Sequence, residues 1–189
     1  MRPLVLDVSN NRTIRAEELR RTPAVALIAK ATEGTSFLDS TYGAHRAAAR
    51  GCRIVFGAYH FLHADSYGDQ AEYFLRYAKP VRGDLQPIVD AETGMVAPEG
   101  KRAYACLSEL DQRGYRPLLY SSWAYLREMI KAEPRLTRFR IWQANYGPVR
   151  FPVGLGASVV MWQFTETYPV ALSRYDASRL LVPLDSLRI

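Results

Sequence analysis

Short apolar runs alternate with amphipathic stretches along most of this chain. That alternation constrains the fold more than any other feature, because it is the pattern of parallel strands joined by helices. The spacing predicts strands over residues 4–9, 24–31, 54–61, 87–92, 116–121, 139–146 and 158–165. Helices are predicted over 13–21, 40–50, 66–79, 97–113 and 122–132; Gly51 and Gly114 close two of them and Pro80 stops a third. Beyond these the helices run out, and a Gly/Pro-rich loop alone separates the last two strands. With 189 residues and 48% hydrophobic content the chain suits one domain, residues 1–189. The expected class is α/β: an irregular (β/α) barrel resembling a TIM barrel whose last helices are reduced or missing. An open doubly wound sheet is the structural rival. The barrel is favoured because chemically capable residues recur at strand ends, namely Asp7, Lys30 with Glu33, Tyr59 with His60, Asp90 with Glu92, Tyr120, Trp142 to Tyr146, and Trp162 with Gln163. Closure would gather those ends around one mouth, whereas an open sheet would spread them in a line.

The apolar run ending in Asp90-Ala91-Glu92 is the strongest chemical signal. On a strand the two side chains share a face, with Cα atoms roughly 6.6 Å apart. One carboxyl can then protonate a leaving group while the other serves the opposite side of the same bond. Alone the pair is weak evidence, since hydrated acids at a strand end look the same.

The totals exclude several classes. No stretch approaches the ~18 apolar residues of a membrane span, and the first residues show no secretory leader, so the expectation is cytoplasmic synthesis without membrane insertion. Action outside the cell would then require a holin, a phage particle or dedicated export. Cys52 and Cys106 lack metal-type spacing and read as free thiols, with a disulfide between them left open. The net charge of +6 favours polyanions, but the arginines are scattered and carry no nucleic-acid-binding signature. The chain is expected to act as a monomer, without nucleic acid, cofactor or metal.

Seven segments in order resemble glycoside hydrolase family 25, the muramidases found among phage endolysins and secreted lysozymes. They are Leu6-Asp7-Val8-Ser9, Ala29-Lys30-Ala31-Thr32-Glu33-Gly34, Gly57-Ala58-Tyr59-His60-Phe61, Asp90-Ala91-Glu92, Leu119-Tyr120, Trp142-Gln143-Ala144-Asn145-Tyr146 and Met161-Trp162-Gln163-Phe164. The resemblance implies cleavage of the β-1,4 bond between N-acetylmuramic acid and N-acetylglucosamine in peptidoglycan. Glu92 would be the general acid, kept protonated by partial burial and by the charges of Asp90 and Asp7. Asp90 would stay ionised and steady an oxazolinium-like intermediate formed by the substrate's own 2-acetamido group. Asp7 would sit at the floor of the site, and Asp176 would match a late aspartate of the family, although Ser178 stands where an Asn is usual. Asn10-Asn11-Arg12 likewise replaces a common Gln-Gly pair.

Tyr59, Phe61, Tyr120, Trp142, Tyr146 and Trp162 are candidates to line a glycan groove, because sugar C–H faces stack on aromatic rings. Lys30 would contact polar groups of the substrate or simply pair with Glu33. His60 and His63 have an HxxH spacing, but on a strand His60 faces away from Tyr59 and Phe61, which favours a structural role. Two rivals remain: a catalytically inactive wall-binding component of a phage or phage-like particle, and a divalent-metal hydrolase using Asp7, His60, Asp90 and Glu92. Close, mutually repelling carboxylates argue against the first.

Overall fold

Alternation along the strands divides the apolar residues into two sets that cannot share one core. In β1 (Leu4–Val8) the side chains of Leu4, Leu6 and Val8 pack with the surrounding helices, while Val5 joins Ile28, Ile88, Leu118, Trp142 and Met161 in a separate interior cluster. A sheet with both faces buried must be covered on one side and curled on itself on the other. The computed structural model describes residues 2–64, 67–93, 96–147, 155 and 158–189.

The further strands are β2 (Ala24–Glu33), β3 (Phe37–Leu38), β4 (Val55–Phe61), β5 (Ile88–Asp90), β6 (Leu118–Ser122), β7 (Arg140–Ala144), β8 (Val159–Val170) and β9 (Ser173–Leu180). Their order is β1-β9-β8-β7-β6-β5-β4-β2-β3, and a β1–β2 pairing closes the ring, leaving β3 as a hairpin appendage on β2. The barrel is therefore eight-stranded, with the helices α1 (Ala16–Leu19), α2 (Tyr42–Gly51), α3 (Tyr67–Ala78), α4 (Val96–Gln112) and α5 (Trp123–Ala132) lying between successive strands of its first part. None of the described helices is long and apolar enough to cross a membrane.

The barrel prediction holds, with local differences. The first helix shrinks to Ala16–Leu19, and β5 stops at Asp90, so Glu92 sits on the following loop rather than on the strand. Two strands were not predicted, β3 and β9; the second is decisive, because it runs antiparallel to both β8 and β1 and completes the barrel wall. Ser66 and most of the loop preceding β8 lie outside the described residues. Cys106 is fully buried and Cys52 partly so, both as free thiols.

Interior packing is tight. A Cβ added at Gly57 would lie 2.9 Å from Leu85 and 3.2 Å from Ile28, so only glycine lets these neighbours meet. The C-terminal segment closes the barrel from below: Leu187 is buried in the interior cluster, and its carbonyl accepts from Gln86 N–H at 2.8 Å. Burying such a leucine contributes about 2 kcal/mol.

His60 points outward from β4 and is sealed between β2 and α3. Thr32 Oγ1 lies 2.7 Å from its Nδ1 and Gln70 Oε1 3.0 Å from its Nε2. Because Gln70 Oε1 also accepts from His63 N–H, the proton belongs on Nε2 and Thr32 donates to Nδ1. Burial pushes the imidazole pKa down to about 4. We therefore expect NMR of the ring to show a neutral Nε2–H tautomer at neutral pH and no titration until near pH 4; a midpoint around 6.5 would contradict this placement. The orientation also removes His60 from any shared site with Asp7, Asp90 and Glu92.

Candidate active site

The inward-facing positions at the C-terminal ends of the strands are polar where the positions below them are apolar. Asp7 follows Val5 on β1, Tyr59 follows Gly57 on β4, Asp90 follows Ile88 on β5, and Tyr120 follows Leu118 on β6. Together with Glu92, Trp142, Tyr146, Gln163 and Asp176 they line a pocket of about 170 Å³ in the barrel mouth. A second hollow, bounded by Trp123 and Asn145, continues from it across Glu92, Tyr120 and Tyr146. The mouth is thus an extended cleft rather than a closed hole.

The loop carrying Glu92 is pinned from both sides. Ala91 N–H donates to Tyr120 C=O at 3.0 Å, Ser121 Oγ donates to Ala91 C=O at 2.6 Å, and Thr93 Oγ1 donates to Leu62 C=O at 3.1 Å. Glu92 is open to solvent on the cleft side, while Asp90 is only 6% exposed. Asp90 Oδ1 is buried and has no hydrogen-bond partner among the described residues. An orphaned carboxylate oxygen is costly unless something donates to it.

Asp7 and Asp176 are direct cross-strand partners on β1 and β9, an arrangement that sets like charges face to face. Burial, then the charge of Asp176, push the Asp7 carboxyl well above the ordinary aspartate range, against a hydrogen bond from Gln163. Burial, then Glu92, do the same for Asp90, with Lys30 opposing. Glu92 is raised by burial and next by Asp176, and Asp176 by burial with Arg12 opposing. Because repulsion between carboxylates is mutual, Glu92 shares its raised proton affinity with Asp90 and Asp7 as well as with Asp176. Asp90 is not singled out as the ionised member: every carboxyl of the mouth holds its proton more tightly than in water.

Gln163 ties the cluster together. Its Oε1 accepts from Tyr120 OH at 2.9 Å and Tyr146 OH at 2.8 Å, while its Nε2 donates to Asp7 at 3.1 Å. Sequence reasoning placed Gln163 at a strand end but chose its neighbour Trp162. Trp162 instead lies on the other face of β8, where its indole N–H donates to Asn145 C=O and its ring packs on Phe164. The period-two rule could have found the right residue, given the inward register of β8.

The aromatic candidates divide further. Tyr59 and Tyr146 present surface to the cleft, but Trp142 is 2% exposed, packs 4.4 Å from Tyr120 and donates its N–H to Ser178 Oγ, so it forms the floor. Phe61, Lys30 and Glu33 stand outside the pocket lining: Lys30 pairs with Glu33 at 2.6 Å and lies over the Phe61 ring. Trp123, which sequence reasoning used only as a helix start, borders the cleft extension.

Carboxylates of raised proton affinity beside tyrosines, at the C-terminal mouth of a barrel, define the build of a barrel glycosidase. The model of glycosyl hydrolases family 25 matches residues 6–171, and the chain belongs to that family and is a glycoside hydrolase. Among solved structures, a bacterial lysozyme from Streptomyces coelicolor is 20% identical, covers 99% of this chain and 95% of its own, and superposes with a TM-score of 0.88. A muramidase from Acremonium alcalophilum is 21% identical over 98% of this chain and 97% of its own, with a TM-score of 0.86. A family 25 glycosyl hydrolase from Bacillus anthracis is 22% identical over 97% and 91%, at 0.80. At these identities the likeness is one of fold. No curated protein matches the sequence. Asp176 lies beyond the stretch matched by the family model, yet it stands opposite Asp7 in the cleft.

Proposed function

We propose that this chain is an N-acetylmuramidase that cleaves the β-1,4 bond between N-acetylmuramic acid and N-acetylglucosamine in peptidoglycan. The observation that carries the reading is the pairing of a buried, unpartnered oxygen on Asp90 with an exposed acid of raised pKa on Glu92. A 2-acetamido N–H at the pocket floor satisfies that oxygen. The hydrogen bond favours ionised Asp90, and the charge so created raises Glu92 further. Substrate binding thereby assigns the proton to Glu92.

Glu92 then donates its proton to the glycosidic oxygen as the C–O bond breaks, and the acetamido oxygen bonds to the anomeric carbon. Asp90 accepts the N–H hydrogen bond that strengthens as positive charge builds on the resulting oxazolinium. Water next attacks the anomeric carbon, Glu92 takes its proton, and the acetamido group is released. This substrate-assisted route needs no carboxylate at bonding distance from carbon, so carboxylate spacing does not set the outcome. Asp7 and Asp176 keep the mouth acidic, Gln163 fixes the hydroxyls of Tyr120 and Tyr146, and Tyr59 and Tyr146 offer surfaces for sugar rings. The names of the neighbouring structures, lysozyme and muramidase, support this substrate.

Digestion of purified bacterial walls followed by mass spectrometry of the fragments tests the reading. New reducing ends are expected on muramic acid; reducing ends on glucosamine, or freed peptide amines, would assign a different bond.

A further inference from the structure

The net charge of +6 is not spread evenly along the barrel axis. The mouth gathers Asp7, Asp90, Glu92 and Asp176. The opposite end is ringed by arginine, and the topology explains why. Arg2 precedes β1, Arg21 precedes β2, Arg53 precedes β4, Arg82 precedes β5, Arg116 precedes β6, and Arg140 opens β7. Since β2, β4, β5, β6 and β7 are successive neighbours in the barrel, these side chains recur around one rim, on strands ~4.8 Å apart.

Arg2, Arg21, Arg53, Arg82 and Arg116 are exposed, and none makes an ion pair among the described residues. Arg140 is half-buried and spends one N–H on Ser186 C=O. Three aspartates of this end are already paired, Asp84 with Arg46 and Arg50, Asp111 with Arg138, and Asp185 with Arg188. Exposed guanidinium groups without ion-pair partners along one rim suit a chain of anionic groups, which each fork can hold in a bidentate manner.

We propose that the rim at the closed end of the barrel is a docking surface for a linear, phosphate-bearing polymer of the bacterial wall, separate from the cleft. The partner class rests on the muramidase reading, because a polymer carried by the same wall is presented together with the glycan at high effective concentration. The two sites lie at opposite ends of the barrel, so the polymer does not compete with the glycan. The acidic mouth repels it, which orients the enzyme with the cleft free.

The test compares wild type with the triple variant Arg21→Glu, Arg82→Glu, Arg116→Glu, whose substituted side chains make no ion pair among the described residues. Binding of inorganic polyphosphate is expected to weaken about 100-fold or more and to lose much of its salt dependence. Hydrolysis of soluble, uncharged glycan fragments is expected to be unchanged, and hydrolysis of intact walls to fall to the wild-type rate on walls stripped of phosphate polymer. Equal polyphosphate affinity in the two proteins overturns the proposal, as does tighter binding to phosphatidylglycerol vesicles than to polyphosphate, which would make the rim a membrane surface. A failed muramidase reading shows separately, as absent glycan cleavage with polyphosphate binding intact.

Discussion

Glu92→Gln lowers turnover on bacterial walls by about 10³-fold, because it removes the proton donor while keeping the size and hydrogen-bonding reach of the side chain. The loss appears in kcat with little change in KM, since the amide still occupies the exposed side of the cleft where substrate binds. The pH profile carries the same signature. Burial and Asp176 raise the Glu92 pKa, so wild-type activity falls as pH rises through that raised value and the donor loses its proton. Asp176→Asn removes one of the negative charges that raise Glu92 and moves this alkaline limb to lower pH. An unaltered limb in that variant, or near-normal turnover in Glu92→Gln, would falsify the assignment of Glu92 as the acid.

Asp90→Asn is expected to lose about 100-fold or more in activity and at the same time to stabilise the fold by about 1–2 kcal/mol near neutral pH. The opposing signs follow from the site. An ionised Asp90 is buried beside Glu92 with one oxygen unpartnered, so the charge that serves the reaction destabilises the empty enzyme. Its folded pKa is raised, so its stabilising contribution is complete below the unfolded value of 3.8 and disappears as pH rises through the folded value. The asparagine variant has no such loss. The difference in denaturation midpoint between the two proteins should therefore be widest above the raised pKa and close as pH falls toward 4. Lys30 does not become an unpaired cation in the variant, because Glu33 holds it at 2.6 Å. A variant no more stable than wild type at pH 7 would show that Asp90 is already neutral or better solvated than its burial indicates.

Local pattern carried much of the fold. The apolar runs of β1, β2, β4 and β6 are nearly continuous, as strands buried on both faces require, and the intervening helices show the expected periodicity and end at Gly or Pro. β9 was missed because Ser173–Leu180 reads as polar: its inward face carries Asp176 and Ser178 in place of apolar residues, for reasons of the site. Glu92 was placed on a strand because Asp-x-Glu fits period two, whereas the Ala91 backbone N–H and the Thr93 side-chain hydroxyl anchor it on a loop that no local rule describes. Gln163 has nothing in its own neighbourhood to mark it; only the approach of Tyr120, Tyr146 and Asp7 makes it a hub.

The sequence by itself determined which side chains of a strand share a face and which of them are polar, because alternation along a strand is fixed by the covalent geometry of the backbone. It therefore carried the barrel class and the acidic, tyrosine-rich mouth. Closure of the sheet decided the rest. Pairing β9 with β1 sets Asp176 against Asp7, the inward turn of Gln163 joins both tyrosines to that pair, and the depth of Asp90 raises its proton affinity. These depend on distance and dielectric between segments far apart in the chain, quantities that exist only once the strands have met.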